Sequence, residues 1–86
     1  MTLRIERDSD RDRSVLRLIG QLGAQDLGEL KGQMETSVHP VVLDLDELSL
    51  VDVNAVRFFR SCQQRGVELI NCPPYIREWI RREDGK

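Results

Sequence analysis

The chain reads VVLDLDELSLVDVNA from residue 41 to residue 55. Its first five residues, Val41–Leu45, form a nearly continuous apolar run, which is typical of a central strand buried on both faces of a parallel sheet. We interpret residues 46–51 as a connection. Asp52 or Asn54 can then cap a helix over residues 54–64 by accepting hydrogen bonds from its free N–H groups. A buried strand that leads through a short connection into a helix is a building unit of α/β folds.

Upstream of this stretch, the pattern predicts a hairpin. Apolar and polar residues alternate from Leu3 to Glu6, which indicates a half-buried strand. Residues 8–13 are all polar and are interpreted as the hairpin loop. A second strand follows over Val15–Ile19, and Gly20 is predicted to end it.

The remaining elements alternate between helix and strand. They are predicted as a helix over Ala24–Met34 that ends before His39-Pro40, the helix over residues 54–64 followed by Gly66, a strand over Val67–Ile70, and a last helix that Pro73-Pro74 opens. The order β-β-α-β-α-β-α predicts one α/β domain over residues 1–86. Its sheet is expected to be four-stranded and mostly parallel, with an N-terminal antiparallel hairpin strand.

Composition excludes several functional classes. The chain has 86 residues, of which 40% are hydrophobic and 33% are charged, as in a folded globular domain. A formal net charge of −2 argues against a nucleic-acid partner, because phosphates call for a basic face. No apolar run reaches the roughly 18 residues of a membrane span, and the charged N-terminus lacks a signal-peptide core. We therefore expect a cytoplasmic protein with no membrane partner, in which Cys62 and Cys72 are reduced thiols and Cys62 lies in the core.

No group of residues predicts catalysis, a cofactor or a metal ion. Residues 20–23 lack the spacing and the lysine of a phosphate-binding loop, and His39 is the single histidine. The acidic residues from Asp44 to Asp52 lack the spacing of a calcium loop and are interpreted as caps and solvated turns. Cys72 precedes a helix entry, which leaves open a reactive thiol with a lowered pKa. The chain is otherwise expected not to be an enzyme.

Several segments together resemble the STAS (anti-sigma factor antagonist) family, over about residues 3–82. The family pattern is a buried strand, a short connection and an Asp-Ser-Ser/Thr-Gly sequence that enters a helix. The segments that carry the resemblance are Gly20–Ala24 at a strand exit, Val41–Leu45 and Leu48–Asp52 before the helix, Val53–Val56 at its start, and residues 66–77 beyond it. The resemblance implies a STAS-like fold and a non-catalytic function in regulation.

The chain departs from the family at the position that matters for switching. Val53 stands where a kinase-like anti-sigma factor phosphorylates a serine in the family's phospho-switches, while Asn54 and Ala55 replace the Ser/Thr and the glycine. Because valine has no hydroxyl, we expect no phospho-switch at this site. Family domains usually continue into another strand and helix, so this chain is expected to leave a sheet edge uncovered, which favours a homodimer or a constitutive partner.

These observations predict a protein-interaction module. We expect its partner, such as an anti-sigma factor-like or another regulatory protein, to contact the helix entry and the exposed face of the helix. The predicted contact residues are Asp52, Val53, Asn54, Arg57, Phe58 and Arg60. Three alternatives stay open: a small-ligand or nucleotide-sensing STAS-like module, a structural subunit of a larger assembly, and a redox role for Cys72.

Overall fold

The computed structural model describes residues 3–9, 12–37 and 40–84. Residues 10 and 11 of the predicted hairpin loop and His39 lie outside this part of the chain. The elements are β1 (Leu3–Ser9), β2 (Ser14–Leu22), a 3-10 turn (Ala24–Asp26), α1 (Leu27–Glu35), β3 (Val41–Asp44), β4 (Leu48–Val51), α2 (Val53–Gln64), β5 (Glu68–Ile70) and α3 (Pro74–Asp84). The predicted order is confirmed, with one additional strand.

The strands form one mixed sheet in the order β1-β2-β3-β5. β1 and β2 are antiparallel, in a register that runs from Leu3 opposite Gly20 to Ser9 opposite Ser14. β3 is parallel to β2, and β5 is parallel to β3. The predicted combination of an antiparallel hairpin with a parallel sheet is therefore confirmed.

Strand β4 corrects two predictions made from the sequence. The segment 46–51 was expected to be a connection, but its second half pairs in parallel with the carboxyl end of β2. Gly20 was expected to end β2, yet the strand continues to Leu22. Gly20 adopts a φ of +101°, a value that favours glycine, and the pairing with β4 shifts register between Gly20 and Gln21. The bulge lets β2 continue past Gly20. Strand β1 already occupies one edge of β2 at Gly20, where it pairs through Leu3, so β4 must pair with the other edge, which is the edge that also carries β3.

The core lies between one face of the sheet and the helices. Its largest completely buried side chain is that of Phe59 in α2. Cys62 is also completely buried, as predicted. The other fully or almost fully buried apolar residues are Leu16, Leu18, Leu22, Leu30, Val42, Leu43, Leu45, Leu48, Ala55, Val56, Phe58, Ile76 and Ile80. This core holds the carboxyl ends of β2 and β4 next to the start of α2.

The described residues contain no helix that is long and apolar enough to cross a membrane.

Candidate functional site at the start of helix α2

Asp52 forms the turn between β4 and α2. Its backbone is extended, with φ −106° and ψ −179°, and its Oδ1 accepts a hydrogen bond from the Ala55 N–H at 2.9 Å. The Val56 N–H donates to the Asp52 carbonyl at 3.1 Å. This is the geometry of a helix N-cap, which satisfies N–H groups that have no partner within the helix. Of the two caps that the sequence allowed, the structure uses Asp52.

The same carboxylate also binds the exit of β2. Asp52 Oδ2 accepts a hydrogen bond from the Ala24 N–H at 3.1 Å, and the Asp52 N–H donates to the Leu22 carbonyl at 3.3 Å. Gly23 allows this close approach, because a Cβ atom there would lie 3.2 Å from Asp52 Oδ2 and 3.0 Å from Gln25 Oε1. One side chain therefore ties together two loops that are far apart in sequence, and the helix entry is held in place.

A shallow cavity of about 240 Å³ lies at this junction. It is lined by Gln21, Leu22, Gly23, Gln25, Asp26, Leu50, Val51 and Asp52. Both carboxylates in the lining already accept backbone hydrogen bonds, since Asp26 Oδ2 accepts one from the Gly23 N–H at 3.1 Å. The volume lies below the roughly 300–1,000 Å³ of typical ligand pockets. Two carboxylates at one rim also disfavour a phosphate or another anion.

The structure places most of the predicted contact residues on one side of α2. Asn54 and Arg57 are exposed, and Val53 is half-buried. Residues three and four apart on a helix are neighbours, so Val53, Asn54 and Arg57 lie together. Arg57 Nε lies 3.3 Å from Glu83 Oε1 of α3, which orients the guanidinium. Arg60 is half-buried one turn further along.

Phe58 is the exception, because helical spacing places it at the margin of the apolar face and the structure buries it. Only 7% of the residue is exposed, and Lys31 Nζ of α1 lies 5.7 Å from the centre of its ring. Phe58 is therefore a core residue with a cation over the face of its ring.

Two exposed residues that the sequence did not single out border the helix entry. Leu50 of β4 is 56% exposed, and Tyr75 at the start of α3 is 48% exposed. The Tyr75 hydroxyl donates to the Ser49 carbonyl at 2.5 Å, and the Ser49 Oγ donates to the Gly20 carbonyl at 2.8 Å. Desolvation of the hydroxyl, and to a smaller extent the nearby Cys72, raise the pKa of Tyr75 above its ordinary value of 10.0. The apolar residues of the segment 48–51 could have drawn attention to Leu50, but nothing in the sequence places Tyr75 against Ser49.

The acidic residues near β3 have structural partners. Asp44 Oδ1 accepts hydrogen bonds from the Asp46 N–H at 3.0 Å and from Asn71 Nδ2 at 3.2 Å. Asp44 Oδ2 lies 3.9 Å from Arg17 Nε. The interpretation of Asp52 as a cap is confirmed, whereas Asp44 is a buried residue at the end of β3 and not part of a solvated turn. In the described part of the chain, no group of three or more His, Cys, Asp or Glu side chains has an arrangement that could hold a metal ion.

The two thiols are poor candidates for redox chemistry. Burial raises the pKa of the Cys62 thiol from 9.0 to about 11. Burial also raises the pKa of Cys72, and the opposing effect of Arg77 is smaller. The thiolate is the nucleophilic form of cysteine. The hypothesis of a Cys72 thiol activated by a lowered pKa is therefore wrong.

Among solved structures, the chain is similar to the anti-sigma factor antagonist SpoIIAA in its unphosphorylated form. The TM-score is 0.66 at 18% sequence identity, and the match covers 96% of this chain and 81% of SpoIIAA. No protein-family model and no curated protein matches the sequence. The likeness is one of fold, and it agrees with the strand order, the hairpin and the helix entry described above. The chain thus has a STAS-like fold, as the sequence motifs predicted.

Proposed function

We propose that the chain is a non-catalytic regulatory module that binds a protein partner at the start of α2. We call this region the contact surface and define it by Leu50, Val53, Asn54, Arg57 and Tyr75. The likeness in fold to SpoIIAA supports a regulatory role, because that protein is an anti-sigma factor antagonist. An anti-sigma factor-like protein is therefore the first class of partner to test.

The observation that carries the proposal is an exposed apolar pair beside a fixed turn. Leu50 and Tyr75 are more exposed than the other large hydrophobic residues of the described chain. Both lie near the helix entry, where hydrogen bonds to Asp52 and Ser49 hold the backbone. Aromatic and apolar anchors on a rigid backbone bind with little loss of conformational freedom. The polar residues Asn54 and Arg57 supply a rim of the kind that surrounds such anchors.

We propose that this binding is constitutive with respect to phosphorylation at the helix entry. A phosphate on the first residue of α2 would add a charge of roughly −1.5 to −2. Val53 cannot carry one, and Asn54 cannot either. The half-buried valine instead offers an apolar group to the partner. Regulation would then act on the amount of the protein or on its partner.

The geometry favours a protein partner over a small ligand at this place. The cavity at the junction is small, and its two carboxylates are engaged with backbone N–H groups. The N-terminal end of a helix attracts anions through its free N–H groups, but here the Asp52 carboxylate already occupies that position. A nucleotide phosphate would have to displace it.

The proposal is tested by Val53→Asp in affinity capture from the native cell extract. Aspartate in the first turn of a helix is compatible with folding, since it favours the helix dipole. In the contact surface it puts an unpaired charge against the partner. We expect the capture of a specific protein to fall by roughly 30-fold, which corresponds to about 2 kcal/mol at an interface centre.

Gly28→Asp is the matched control. Gly28 lies in the first turn of α1, is exposed, and has open space where a side chain would begin. The substitution adds the same charge in the same helical context, away from the contact surface. A partner that binds the native chain and Gly28→Asp but not Val53→Asp supports the proposal. A partner that is indifferent to Val53→Asp and to Leu50→Asp contradicts it, as does the absence of any specific partner.

A further inference from the structure

A second surface lies along the outer edge of β5. β5 pairs with β3 on one side, and no described strand pairs with its other side. The Ile70 carbonyl accepts a hydrogen bond from the Leu45 N–H at 3.0 Å, so the groups of Ile70 face the sheet. Backbone groups alternate in direction along a strand, and the N–H and C=O of Leu69 therefore face outward. An unpaired edge of this kind can accept another extended chain.

The edge strands β1 and β5 differ in how they are protected. Strand β1, at the opposite edge, has four charged residues among its seven: Arg4, Glu6, Arg7 and Asp8. Charged side chains on an edge strand hinder pairing with other chains. β5 has the sequence Glu68-Leu69-Ile70, with one charged residue. The β5 edge is thus the less protected of the two.

A cavity of about 560 Å³ lies beside this edge. It is lined by Gln63 of α2, Leu69 of β5, Asn71, Cys72, and Arg77, Ile80 and Arg81 of α3. Leu69 is in register with the fully buried Leu43, so its side chain lies on the helix-covered face, where it lines the cavity. The volume lies within the roughly 300–1,000 Å³ of typical binding pockets. Its lining has two guanidinium groups and no carboxylate.

Arg77 is the cation of this cavity that is available to a ligand. Its Nη2 donates to the Cys72 carbonyl at 3.3 Å, and no described carboxylate lies within ion-pair distance of it. Arg81 is already engaged, because its Nη2 lies 2.8 Å from Glu78 Oε1 and 2.9 Å from Oε2. A carboxylate placed in the cavity would therefore be bound mainly by Arg77.

We propose that the β5 edge binds an extended segment of a protein partner, with an aspartate or glutamate side chain placed in the Arg77 cavity. The backbone of that segment would pair with the outward N–H and C=O of Leu69, in the manner of β-strand addition. Side chains alternate between the two faces of a strand, so every second residue of the segment would point to the cavity side. The acidic residue would make binding specific for segments that carry it, and the backbone pairing would set the direction in which the segment lies along β5.

A second copy of this chain fits the edge less well. In an antiparallel pair centred on Leu69, the copy would present its own Leu69 on the cavity side. Its Glu68 would lie on the opposite face of the sheet, because adjacent residues alternate. The copy would thus bring no carboxylate from β5, and its own Arg77 and Arg81 would approach the first pair of arginines. Like charges at an interface oppose association.

The test uses the acetylated and amidated peptide Thr-Val-Glu-Val-Thr at millimolar concentration, followed by amide NMR of the chain. We expect shifts at β5 and α3, and slower hydrogen exchange of the Leu69 N–H when the peptide is bound. The peptide with Gln in place of Glu should bind the native chain about tenfold more weakly. The Glu peptide should bind the Arg77→Gln variant more weakly by the same factor, because both changes remove the charge-assisted hydrogen bond. Arg4→Gln, which removes an exposed arginine from the other edge strand, is the control and should bind normally.

Several outcomes would overturn the inference. These are equal binding of the Glu and Gln peptides, binding that leaves Leu69 exchange unchanged, and no binding at all. Protection of Leu69 that rises with protein concentration, without any peptide, would show a second copy as the occupant. The inference does not depend on the function proposed above, and Val53→Asp should leave peptide binding unchanged.

Discussion

Removal of the Asp52 carboxylate should loosen the junction between α2 and the exit of β2. In Asp52→Ala, the helix loses its N-cap, which costs about 1 kcal/mol. The Ala24 N–H also loses its acceptor at 3.1 Å, which costs about 1 kcal/mol more. The expected loss of about 2 kcal/mol is a large part of the roughly 4–13 kcal/mol typical of a domain of this size.

Asp52→Asn separates the two contributions. An asparagine caps a helix about as well as aspartate, so its side-chain oxygen can still accept from the Ala55 N–H. Its NH₂ group then faces the Ala24 N–H, and two donors cannot bond. We expect a loss of about 1 kcal/mol, half of that in the alanine variant. The exchange rate of the Ala24 amide hydrogen should rise in both variants.

Urea unfolding measures these differences. With a slope of about 1 kcal/mol per molar urea, the midpoint should fall by about 2 M in Asp52→Ala and by about 1 M in Asp52→Asn. Asp46→Ala removes the same charge from an exposed residue whose side chain contacts no described donor, and it should change the midpoint little. If Asp52→Ala were no more destabilising than Asp46→Ala, the structural role given to Asp52 would be refuted. Equal losses in the Asn and Ala variants would refute the role of the Ala24 bond.

Three further predictions concern stability. Gly66→Ala should destabilise the chain by about 1 kcal/mol or more, because Gly66 has a φ of +88°. Gly28→Ala, in the open first turn of α1, should instead stabilise the chain by roughly 0.5–1 kcal/mol. Thermal unfolding of both variants should show melting temperatures that change in opposite directions. Phe59→Ala should cost about 3–5 kcal/mol in urea unfolding, since this ring is completely buried, and a loss below that of Asp52→Ala would contradict its place in the core. The free energy of unfolding should fall as pH rises from 9.0 to about 11, because the Cys62 thiol ionises earlier in the unfolded chain, and Cys62→Ala should show a smaller fall over the same range.

Local sequence features predicted much of the fold. The strand over β3 followed from an apolar run, and α2 and its end followed from helical spacing and from Gly66. These predictions were confirmed because periodicity and backbone preference act over a few neighbouring residues. Strand β4 was missed, since a four-residue strand has too short a pattern to be recognised without its partner β2.

The candidate site was predicted in outline. Asp52 and Asn54 were both possible caps by residue type, and only the position of the Ala55 N–H distinguished them. Helical spacing places Phe58 at the margin of the apolar face of α2, where a residue can be covered or exposed, according to what packs beside it. Here α1 covers it through Lys31.

The amino-acid sequence sufficed for the order of elements apart from β4, the turn glycine and the absence of a hydroxyl at residue 53. Each of these depends on residue type and on neighbours close in the chain. The contact surface and the β5 edge depend on residues brought together from far apart: Asp52 and Ala24 are separated by 28 positions, and Tyr75 and Ser49 by 26. Such contacts form only when burial of the common core has offset the entropy of closing the chain between them, so no local pattern predicts them.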